Sequence, residues 1–349
     1  MINEIEYIVT GAAGFLGSNV AESLLKQGKS VRAFVLKGDK AADALSDGIQ
    51  IFYGDLTDDN SLEDIFTVEK GKEIVVIHCA SIVTVDDHYS KLLYDVNVNG
   101  TKNIVKRCLK HNVKKLVHIS STGAIPELPK KNEIVEIDSF NPKKVVGHYG
   151  KSKALATQYV INAVKNDGLN ASIVYPSGIC GPHDYAFGPV SKFIMEFVSG
   201  EMSAGIAGSF NAVDVRDLAD GVIACVDKGR KGEGYIMANE NVTIRQMFDL
   251  ISNASGCKNV KTIIPKGVAM AIARVLKVIT KITKKTTALT PYAVYNLSRN
   301  NNFSYKKAQF ELGYKVRPFS ETINDEIEWL SSINKIPSKK STVKKSEVV

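Results

Sequence analysis

The 349-residue sequence predicts an α/β fold, in which helices cover both faces of a parallel sheet and a smaller region follows towards the C-terminus. Two observations carry this prediction. Six short apolar runs alternate with longer stretches of helical periodicity, which is the pattern of parallel strands joined by crossover helices. Runs such as VRAFV and IVVIH are also apolar at every position, as expected for strands that are buried on both faces.

The elements follow in order along the first half of the chain. Strands are predicted at 5–10, 31–36, 49–53, 74–78, 115–119 and 171–175, and helices at about 15–27, 58–69, 88–111 and 145–166. After about residue 176, glycine and proline interrupt the alternation. We therefore expect a doubly wound core over 1–176 to which later segments return, a smaller mixed region over 177–330, and a disordered Lys/Ser-rich tail over 331–349.

Composition and charge exclude several classes of protein. With 44% hydrophobic residues the chain can bury a large core, yet no window reaches the roughly 18 consecutive apolar residues of a membrane span. The five cysteines form no CxxC pair and no secretory signal is visible, so we expect a cytoplasmic protein with reduced thiols and no metal site. The net charge of +8 is concentrated in 258–307 and in the tail, which argues against nucleic-acid binding.

The first predicted strand ends in a glycine-rich turn, TGAAGFLG, in which Gly11, Gly14 and Gly17 are spaced three apart. The turn leads into a predicted helix, and the N–H groups at a helix N-terminus attract anions. Glycine lets a pyrophosphate approach where a Cβ would collide with it, whereas a purely structural turn is the alternative interpretation. Because the turn lies in the first βαβ unit, the sequence predicts a dinucleotide site.

Polar and small residues follow the later strands, where the carboxyl edge of a parallel sheet brings them together. Asp55 is suited to accept from an adenine amine, and Ala80 and Ser81 leave room for a nucleotide. Tyr149 and Lys153 lie four residues apart and share one face of a predicted helix. A phenol has a pKa near 10, and we expect the neighbouring ammonium to lower it. With a strand-end serine to hold a substrate oxygen, this set predicts hydride-transfer chemistry with nicotinamide.

In order and spacing, these residues resemble the extended branch of the short-chain dehydrogenase/reductase superfamily, over about residues 5–330. TGxxGxxG appears at 10–17, YxxxK at 149–153 and P-x-x-I-x-G-P at 176–182. The resemblance implies a Rossmann fold, a substrate-binding region in 177–330 and a homodimer formed through two long helices. It favours Ser121, the second serine of the pair at 120–121, as the catalytic hydroxyl.

The resemblance also implies a set of site residues. Catalytic roles fall to Ser121, Tyr149 and Lys153, and cofactor contacts to Gly11, Ala13, Gly14, Phe15, Leu16, Gly17, Lys37, Asp55, Leu56, Ala80, Ser81, Asn97, Tyr149, Lys153, Pro176 and Ile179.

The reaction is narrowed by two departures from the family pattern. Nucleotide-sugar epimerases and dehydratases of this branch commonly carry an asparagine where this chain has Gly178 and a basic residue where it has Phe210. The chain is more similar to dihydroflavonol reductases, cinnamoyl-CoA reductases and 3β-hydroxysteroid dehydrogenases. We therefore expect an NAD(P)(H)-dependent interconversion of a ketone or aldehyde and an alcohol on a bulky apolar substrate. An epimerase or dehydratase with tightly bound NAD is the alternative, and a non-catalytic dinucleotide-binding regulator is a third class.

The end of the second strand distinguishes between the two cofactors. An acid there binds the ribose 2′-hydroxyl of NAD, whereas a basic residue accommodates the 2′-phosphate of NADP. The chain reads Leu36-Lys37-Gly38-Asp39, so Lys37 favours NADP(H), with NAD(H) as the alternative.

The basic stretch 265–287 supports two interpretations. Apolar residues recur at helical spacing with lysine and arginine between them: Val268, Ile272, Val275, Ile279 and Ile282. Such a helix either presents a solvated cationic face, or it lies on an anionic membrane surface or receives an anionic substrate.

Overall fold

Strands and helices alternate through most of the chain, of which a computed structural model describes residues 4–86, 88–283 and 289–337. The strands are β1 (Ile5–Thr10), β2 (Ser30–Val35), β3 (Gln50–Tyr53), β4 (Glu73–His78), β5 (Lys115–Ile119), β6 (Ala171–Pro176), β7 (Gly178–Cys180), β8 (Gly205–Ile206), β9 (Ser209–Asp214), β10 (Gly234–Met237), β11 (Glu240–Thr243) and β12 (Ile263–Ile264). The α-helices are α1 (Phe15–Lys26), α2 (Glu63–Phe66), α3 (Lys91–Tyr94), α4 (Thr101–Lys110), α5 (His148–Asn166), α6 (Pro189–Val198), α7 (Val215–Lys228), α8 (Ile244–Ser255), α9 (Lys266–Thr283), α10 (Pro291–Ser298), α11 (Lys306–Leu312) and α12 (Phe319–Ser332).

Seven parallel strands form the central sheet, in the order β10-β6-β5-β4-β1-β2-β3. The first strand lies inside the sheet, and Val9 pairs with Ala33 on one side and with Ile77 on the other. From β1, the chain adds β2 and β3 on one side of the sheet and β4, β5, β6 and β10 on the other. This arrangement confirms the predicted doubly wound fold. All six predicted strands form. The seventh, β10, returns to the sheet from beyond residue 176, and its four-residue apolar run was not predicted as a strand.

Two predicted helices differ from the expectation in detail. The helix expected at 88–111 is a composite, in which α3 continues through a π-helical turn at Asp95–Gly100 into α4. The helix expected at 58–69 is reduced to a 3-10 turn at Asp59–Leu62 and the single turn of α2. π-helical turns are frequent at functional sites, and this one carries Asn97.

The two faces of the sheet are packed by different helices. Tyr7 and Val9 lie on the face covered by α1 and α7, whereas Ile8 between them lies on the face covered by α4 and α5. All three side chains are buried. This alternation explains the continuous apolar runs, because both faces of the sheet remove side chains from water.

The smaller region contains separate sheets and clusters. β7, β9 and β11 form a three-stranded sheet, and β8 pairs with β12. The three-stranded sheet packs with α6, α8 and α12 in an apolar cluster that includes Phe197 and Phe248. α9 and α10 pack against each other through Ala269, Ala273 and Val294.

The boundary expected for the C-terminal tail, at residue 331, falls too early. α12 extends to Ser332, and Ile336 is buried in the same apolar cluster. The rest of the expected tail, 338–349, lies outside the described residues, as does 284–288 at the end of the basic stretch. Within the described ranges, no helix combines the length and the apolar composition that crossing a bilayer requires.

Candidate active site

A cleft of about 680 Å³ lies at the carboxyl edge of the central sheet. It is bounded by the turn after β1, the loops after β2 to β5, the first turns of α5 and the segment 176–190. Most of the predicted site residues line it: Gly11, Ala13, Gly14, Phe15, Leu16, Gly17, Asp55, Leu56, Ala80, Ser81, Ser121, Tyr149, Lys153, Pro176 and Ile179. Lys37 and Asn97 are not part of this lining. The tertiary structure thus brings together residues that are spread over more than 160 positions of the chain, from Gly11 to Ile179.

The glycine-rich turn is shaped by close contacts within the protein itself. A Cβ on Gly11, whose φ is +66°, would lie 2.6 Å from the Cα atom of Ala80. A Cβ on Gly17 would lie 2.1 Å from the carbonyl oxygen of Gly11. At these two glycines the backbone occupies the space that the sequence analysis assigned to a ligand. Gly14 is the N-cap of α1 and makes no side-chain cap, so the first N–H groups of the helix are left for an anion in the cleft.

Asn97 lies behind the wall of the cleft and not in it. Its Oδ1 accepts from the N–H of Ile82 at 2.8 Å, and its Nδ2 donates to the carbonyl oxygen of Ile82 at 3.0 Å and to Oγ of Ser152 at 3.1 Å. The side chain, 2% exposed, therefore ties the loop after β4 to α5. The side chain thus positions two elements that line the cleft, and the cofactor contact expected of Asn97 stays a prediction.

The loop after β2 presents a carboxylate to the cleft. Asp39 lines the cleft, whereas Lys37 is exposed and lies outside the lining. Oδ1 of Asp39 accepts from the N–H of Ala41 at 3.0 Å, which fixes the carboxylate in this position. The phosphate contact expected of Lys37 is therefore not supported by its placement, and Asp39 is a cleft residue that the cofactor prediction passed over.

Tyr149 and Ser121 meet because α5 packs closely against the turn after β5. A Cβ on Gly150 would lie 2.6 Å from the carbonyl oxygen of Gly123, so the glycine next to the tyrosine permits this approach. The Ser121 hydroxyl forms a hydrogen bond with Tyr149 and accepts one from the N–H of Gly123 at 3.0 Å. Sequence reasoning did not single out Gly150, although its place beside Tyr149 was an available signal.

Lys153 is fixed one helical turn beyond Tyr149. Its Nζ donates to the carbonyl oxygen of Ile119 at 2.9 Å, and the residue is 3% exposed. Burial lowers the pKa of Lys153 to about 8, because the interior disfavours the ammonium form. Burial also raises the pKa of Tyr149 to about 12, with the Ser121 hydrogen bond acting in the opposite direction. The lowered tyrosine pKa expected from the sequence is thus not observed, because desolvation of the phenol dominates.

A buried histidine supports the floor of the cleft. His78, at the end of β4, forms hydrogen bonds through Nδ1 with the hydroxyl of Thr10 at 2.7 Å and through Nε2 with that of Thr101 at 3.0 Å. Burial lowers the pKa of His78 to about 3, so the ring is neutral at physiological pH. The side chain therefore joins β1, β4 and α4 and carries no charge into the site.

One wall of the cleft is apolar. It is formed by Val83, Leu92, Val96 and Val190, from the loop after β4, α3, the π-helical turn and α6. Among the described residues that line the cleft, Lys153 is the one basic side chain. An apolar wall of this kind suits the apolar part of a ligand.

Gly178 and Phe210 are packed against each other beside this wall. A Cβ at position 178 would lie 2.9 Å from the carbonyl oxygen of Asn211 and 3.2 Å from the ring of Phe210. The longer side chain of an asparagine therefore does not fit at position 178 without a shift of the neighbouring backbone.

Two buried carboxyl groups hold the loop that closes the cleft after β7. Oδ2 of Asp184 accepts from the N–H of Gly188 at 2.7 Å and from Oγ of Ser191 at 2.8 Å. The same serine hydroxyl lies 3.0 Å from Oε1 of Glu326, whose Oε2 accepts from the N–H of Gly181 at 2.9 Å. Burial raises the pKa of both carboxyl groups, that of Glu326 to about 8. The Ser191 hydroxyl therefore lies between the two carboxyl groups, and burial favours the neutral form of each.

Comparisons with known proteins identify relatives along most of the chain. A profile of the NAD dependent epimerase/dehydratase family matches residues 7–238. Sterol demethylase protein B of Methylococcus capsulatus is 30% identical over 328 residues, which are 92% of this chain and 97% of that protein. A sterol-4-alpha-carboxylate 3-dehydrogenase (decarboxylating) of Candida albicans is 27% identical over 348 residues, which are 93% of this chain and 97% of that protein.

The solved structures agree on the fold. The crystal structure of gox2253 matches with a TM-score of 0.83 at 27% identity, and the match covers 96% of this chain and 100% of that one. Together with the family profile, these matches confirm the resemblance to the extended short-chain dehydrogenases/reductases.

Proposed function

The chain belongs to the NAD dependent epimerase/dehydratase family and is an oxidoreductase of the extended short-chain dehydrogenase/reductase type, and on this premise we propose that it interconverts a secondary alcohol and a ketone on a bulky, apolar, ring-bearing substrate. A sterol is the substrate class put forward, since both relatives described above are named for sterols. The nicotinamide of a bound dinucleotide supplies the hydride acceptor or donor for this reaction.

The observation that carries the proposal is the meeting of three side chains with the glycine-rich turn in one cleft. Ser121, Tyr149 and Lys153 reach it from two elements, the turn after β5 and α5. The same cleft contains the open N-terminus of α1, which suits a pyrophosphate. A dinucleotide and an alcohol therefore share one site, and a binding protein without catalysis has no use for the three side chains.

The roles of the residues follow from their chemistry. The phenol of Tyr149 gives a proton to the carbonyl oxygen during reduction and removes it from the hydroxyl during oxidation. Ser121 holds that oxygen by a hydrogen bond. Lys153, held on the carbonyl of Ile119, stabilises the phenolate. Because the pKa of Tyr149 is raised to about 12, the phenol is protonated at neutral pH, and this nearby cation is required before it acts as a base.

The proposed cofactor is NAD(H). Asp39 lines the cleft after β2, where a carboxylate accepts a hydrogen bond from a ribose 2′-hydroxyl and repels a 2′-phosphate. The NADP(H) preference predicted from Lys37 depends on a side chain outside the cleft lining, so NADP(H) is the alternative cofactor.

The apolar wall and the packing of Gly178 against Phe210 support an apolar substrate over a nucleotide sugar. A diphosphate substrate would bring two further negative charges to a cleft whose one described cation, Lys153, already serves Tyr149. Among the described lining residues, the epimerase alternative therefore has no second cation to bind its diphosphate substrate.

Substrate oxidation tests the proposal. Purified protein with added NAD, assayed on 3-hydroxysterols, flavonoids and simple secondary alcohols, is expected to form NADH with the sterols at the highest kcat/KM. The proposal is wrong if the protein is purified with bound NAD, needs none added, and interconverts nucleotide sugars with no net NADH.

A homodimer through the outer faces of α4 and α5 is part of the proposal, carried over from the helices expected at 88–111 and 145–166. Leu155 and Tyr159 on α5 are each 37% exposed, and Nζ of Lys102 on α4 lies 5.8 Å from the centre of the Tyr159 ring. Light scattering of the purified protein measures the molecular mass, and the mass of a single chain would contradict the dimer.

A further inference from the structure

Helix α9 presents an apolar face to solvent. Its inner face is made by Ala269 and Ala273, both fully buried against α10. On its outer face Val268 is 52%, Ile272 39% and Val275 60% exposed. These three residues follow one another at four and three positions, so they form a single stripe along the helix. Contiguous exposed apolar side chains of this kind mark an interaction surface.

The segment of sequence that contains this stripe is strongly basic. From Lys258 to Lys307 the sequence contains eleven lysine and arginine residues and no acidic residue. Lys266 at the start of α9 and Arg274 in its middle are exposed, and a helical projection separates them from the apolar stripe. A helix with an exposed apolar stripe on one side and basic residues on its polar side is typical of helices that lie in the interface of an anionic bilayer, and the positive charge of the segment attracts anionic lipid.

α9 is connected to the apolar side of the cleft through α10. The hydroxyl of Thr290, the N-cap of α10, donates to the carbonyl oxygen of Val85 at 2.8 Å. Val85 belongs to the loop after β4, which contributes Val83 to the cleft wall, and Val83 is itself 58% exposed. Further along α10, the ring of Tyr292 packs against Gly147, two residues before Tyr149. Direct contacts through α10 therefore connect α9, and any surface bound to it, with the loop after β4 and the start of α5 at the entrance of the cleft.

We propose that the outer face of α9 docks the protein on the surface of an anionic phospholipid bilayer, so that an apolar substrate enters the cleft from the lipid. The docking stands on α9 alone, whereas the delivery of substrate rests on the proposed function. The helix lies on the membrane and does not cross it, because its apolar stripe covers one side only.

Vesicle co-sedimentation of the full chain tests the docking. Vesicles of phosphatidylcholine with phosphatidylglycerol are compared with vesicles of phosphatidylcholine alone, at low salt and at high salt. The wild type is expected to pellet with the anionic vesicles, and less so at high salt, because mobile ions screen the lysine and arginine charges. V275E and I272E are expected to lower the bound fraction by about tenfold, because each places a charge in the acyl boundary.

The matched control is Phe310→Glu, which puts the same charge on a side chain that is 93% exposed on α11. It is expected to bind vesicles like the wild type. The proposal is overturned if the wild type does not pellet with anionic vesicles at low salt. It is also overturned if F310E and V275E lose binding equally, or if V275E abolishes self-association in light scattering while vesicle binding is absent throughout.

A second readout separates this inference from the proposed function. Turnover of a water-soluble secondary alcohol by V275E is expected to equal that of the wild type, while turnover of a sterol in anionic vesicles falls with the bound fraction. A wild type that binds vesicles but oxidises no alcohol contradicts the proposed function and leaves the docking in place. A wild type that oxidises alcohols but binds no vesicle contradicts the docking and leaves the proposed function in place.

Discussion

The ammonium group of Lys153 donates a hydrogen bond to the backbone carbonyl of Ile119, the last residue of β5, at 2.9 Å. This contact fixes α5 to the strand whose following turn carries Ser121. Tyr149, one helical turn earlier on α5, is thereby held beside that serine. The charge of the lysine thus has a structural partner within the protein, and the lysine lines the same cleft as the phenol on which the proposed chemistry depends.

Replacement of Tyr149 by phenylalanine removes the proposed proton donor. Y149F is expected to lower kcat for alcohol oxidation by about 10²- to 10⁴-fold, the usual contribution of a positioned acid or base. Cofactor affinity, measured by fluorescence titration with NADH, is expected to change far less. The matched control is Tyr159→Phe, on the same helix but outside the cleft. Equal activity of Y149F and wild type would remove Tyr149 from the mechanism.

The choice of cofactor is expected to respond to Asp39 and not to Lys37. D39A removes a charged acceptor for the ribose hydroxyl, so KM for NAD is expected to rise about tenfold or more while KM for NADP falls. K37A is expected to leave the ratio of the two KM values unchanged. The ratio of the KM values for NAD and NADP is the informative quantity. Loss of the hydrogen bond from Ala41 to Asp39 would disturb the loop and change both KM values by a similar factor, which leaves their ratio unchanged. A ratio that responds only to K37A would restore the prediction of NADP(H).

The glycine at position 17 is expected to be required for stability as well as for binding. Gly17→Ala places a Cβ 2.1 Å from the carbonyl oxygen of Gly11, and such overpacking typically costs about 1–3 kcal/mol. Urea unfolding followed by circular dichroism measures the loss. Gly267→Ala is the control, since it is also a helical glycine but has no atom within 4 Å of the added Cβ. Its free energy of unfolding is expected to be unchanged or slightly raised.

Glu326 is expected to make stability depend on pH. Its pKa is raised from 4.5 to about 8, mainly by burial, with Asp184 and Asp214 adding to the rise while the hydrogen bonds from Gly181 and with Ser191 oppose it. The neutral carboxyl is therefore favoured in the folded state. Its contribution is complete below the unfolded pKa near 4.5 and is lost as pH rises through about 8.

E326Q keeps an uncharged group of the same shape, so the stability difference between wild type and E326Q is expected to shrink or reverse between pH 5.5 and pH 8.5, by an amount on the order of a few kcal/mol. Urea unfolding at the two pH values measures it. E328Q, an exposed position on the same helix, is the control and is expected to follow the wild type. Parallel pH profiles for wild type and E326Q would show that Glu326 is ionised in the folded protein.

Local sequence patterns were sufficient to predict features that lie within a single helix, strand or turn. The glycine spacing at 11–17 identified a strand-to-helix turn, and the four-residue offset of Tyr149 and Lys153 identified one helix face. The strand β10 was not predicted, because a run of four residues is too short to show a period. The π-helical turn was not predicted either, because one extra residue in a helical turn hardly changes the spacing of the apolar residues. The path of the loop after β2 decides which of its side chains lines the cleft, and this path cannot be read from residue types. The sequence therefore favoured Lys37 as the cofactor contact, whereas Asp39 lines the cleft.

The sequence by itself determined the alternation of strands and helices, and it indicated the carboxyl-edge location of the candidate site and several of the polar side chains that line it, because these depend on residue type and on spacing along the chain. Only the tertiary structure decided which groups touch. It showed that Ala80 leaves no room for a Cβ at Gly11, and that the carbonyl oxygen of Gly11 leaves none at Gly17. It also showed that Glu326 accepts a hydrogen bond from Gly181, 145 positions earlier in the chain. It also set the ionisation of the buried groups, because the cost of removing a charge from water depends on the surroundings that packing creates.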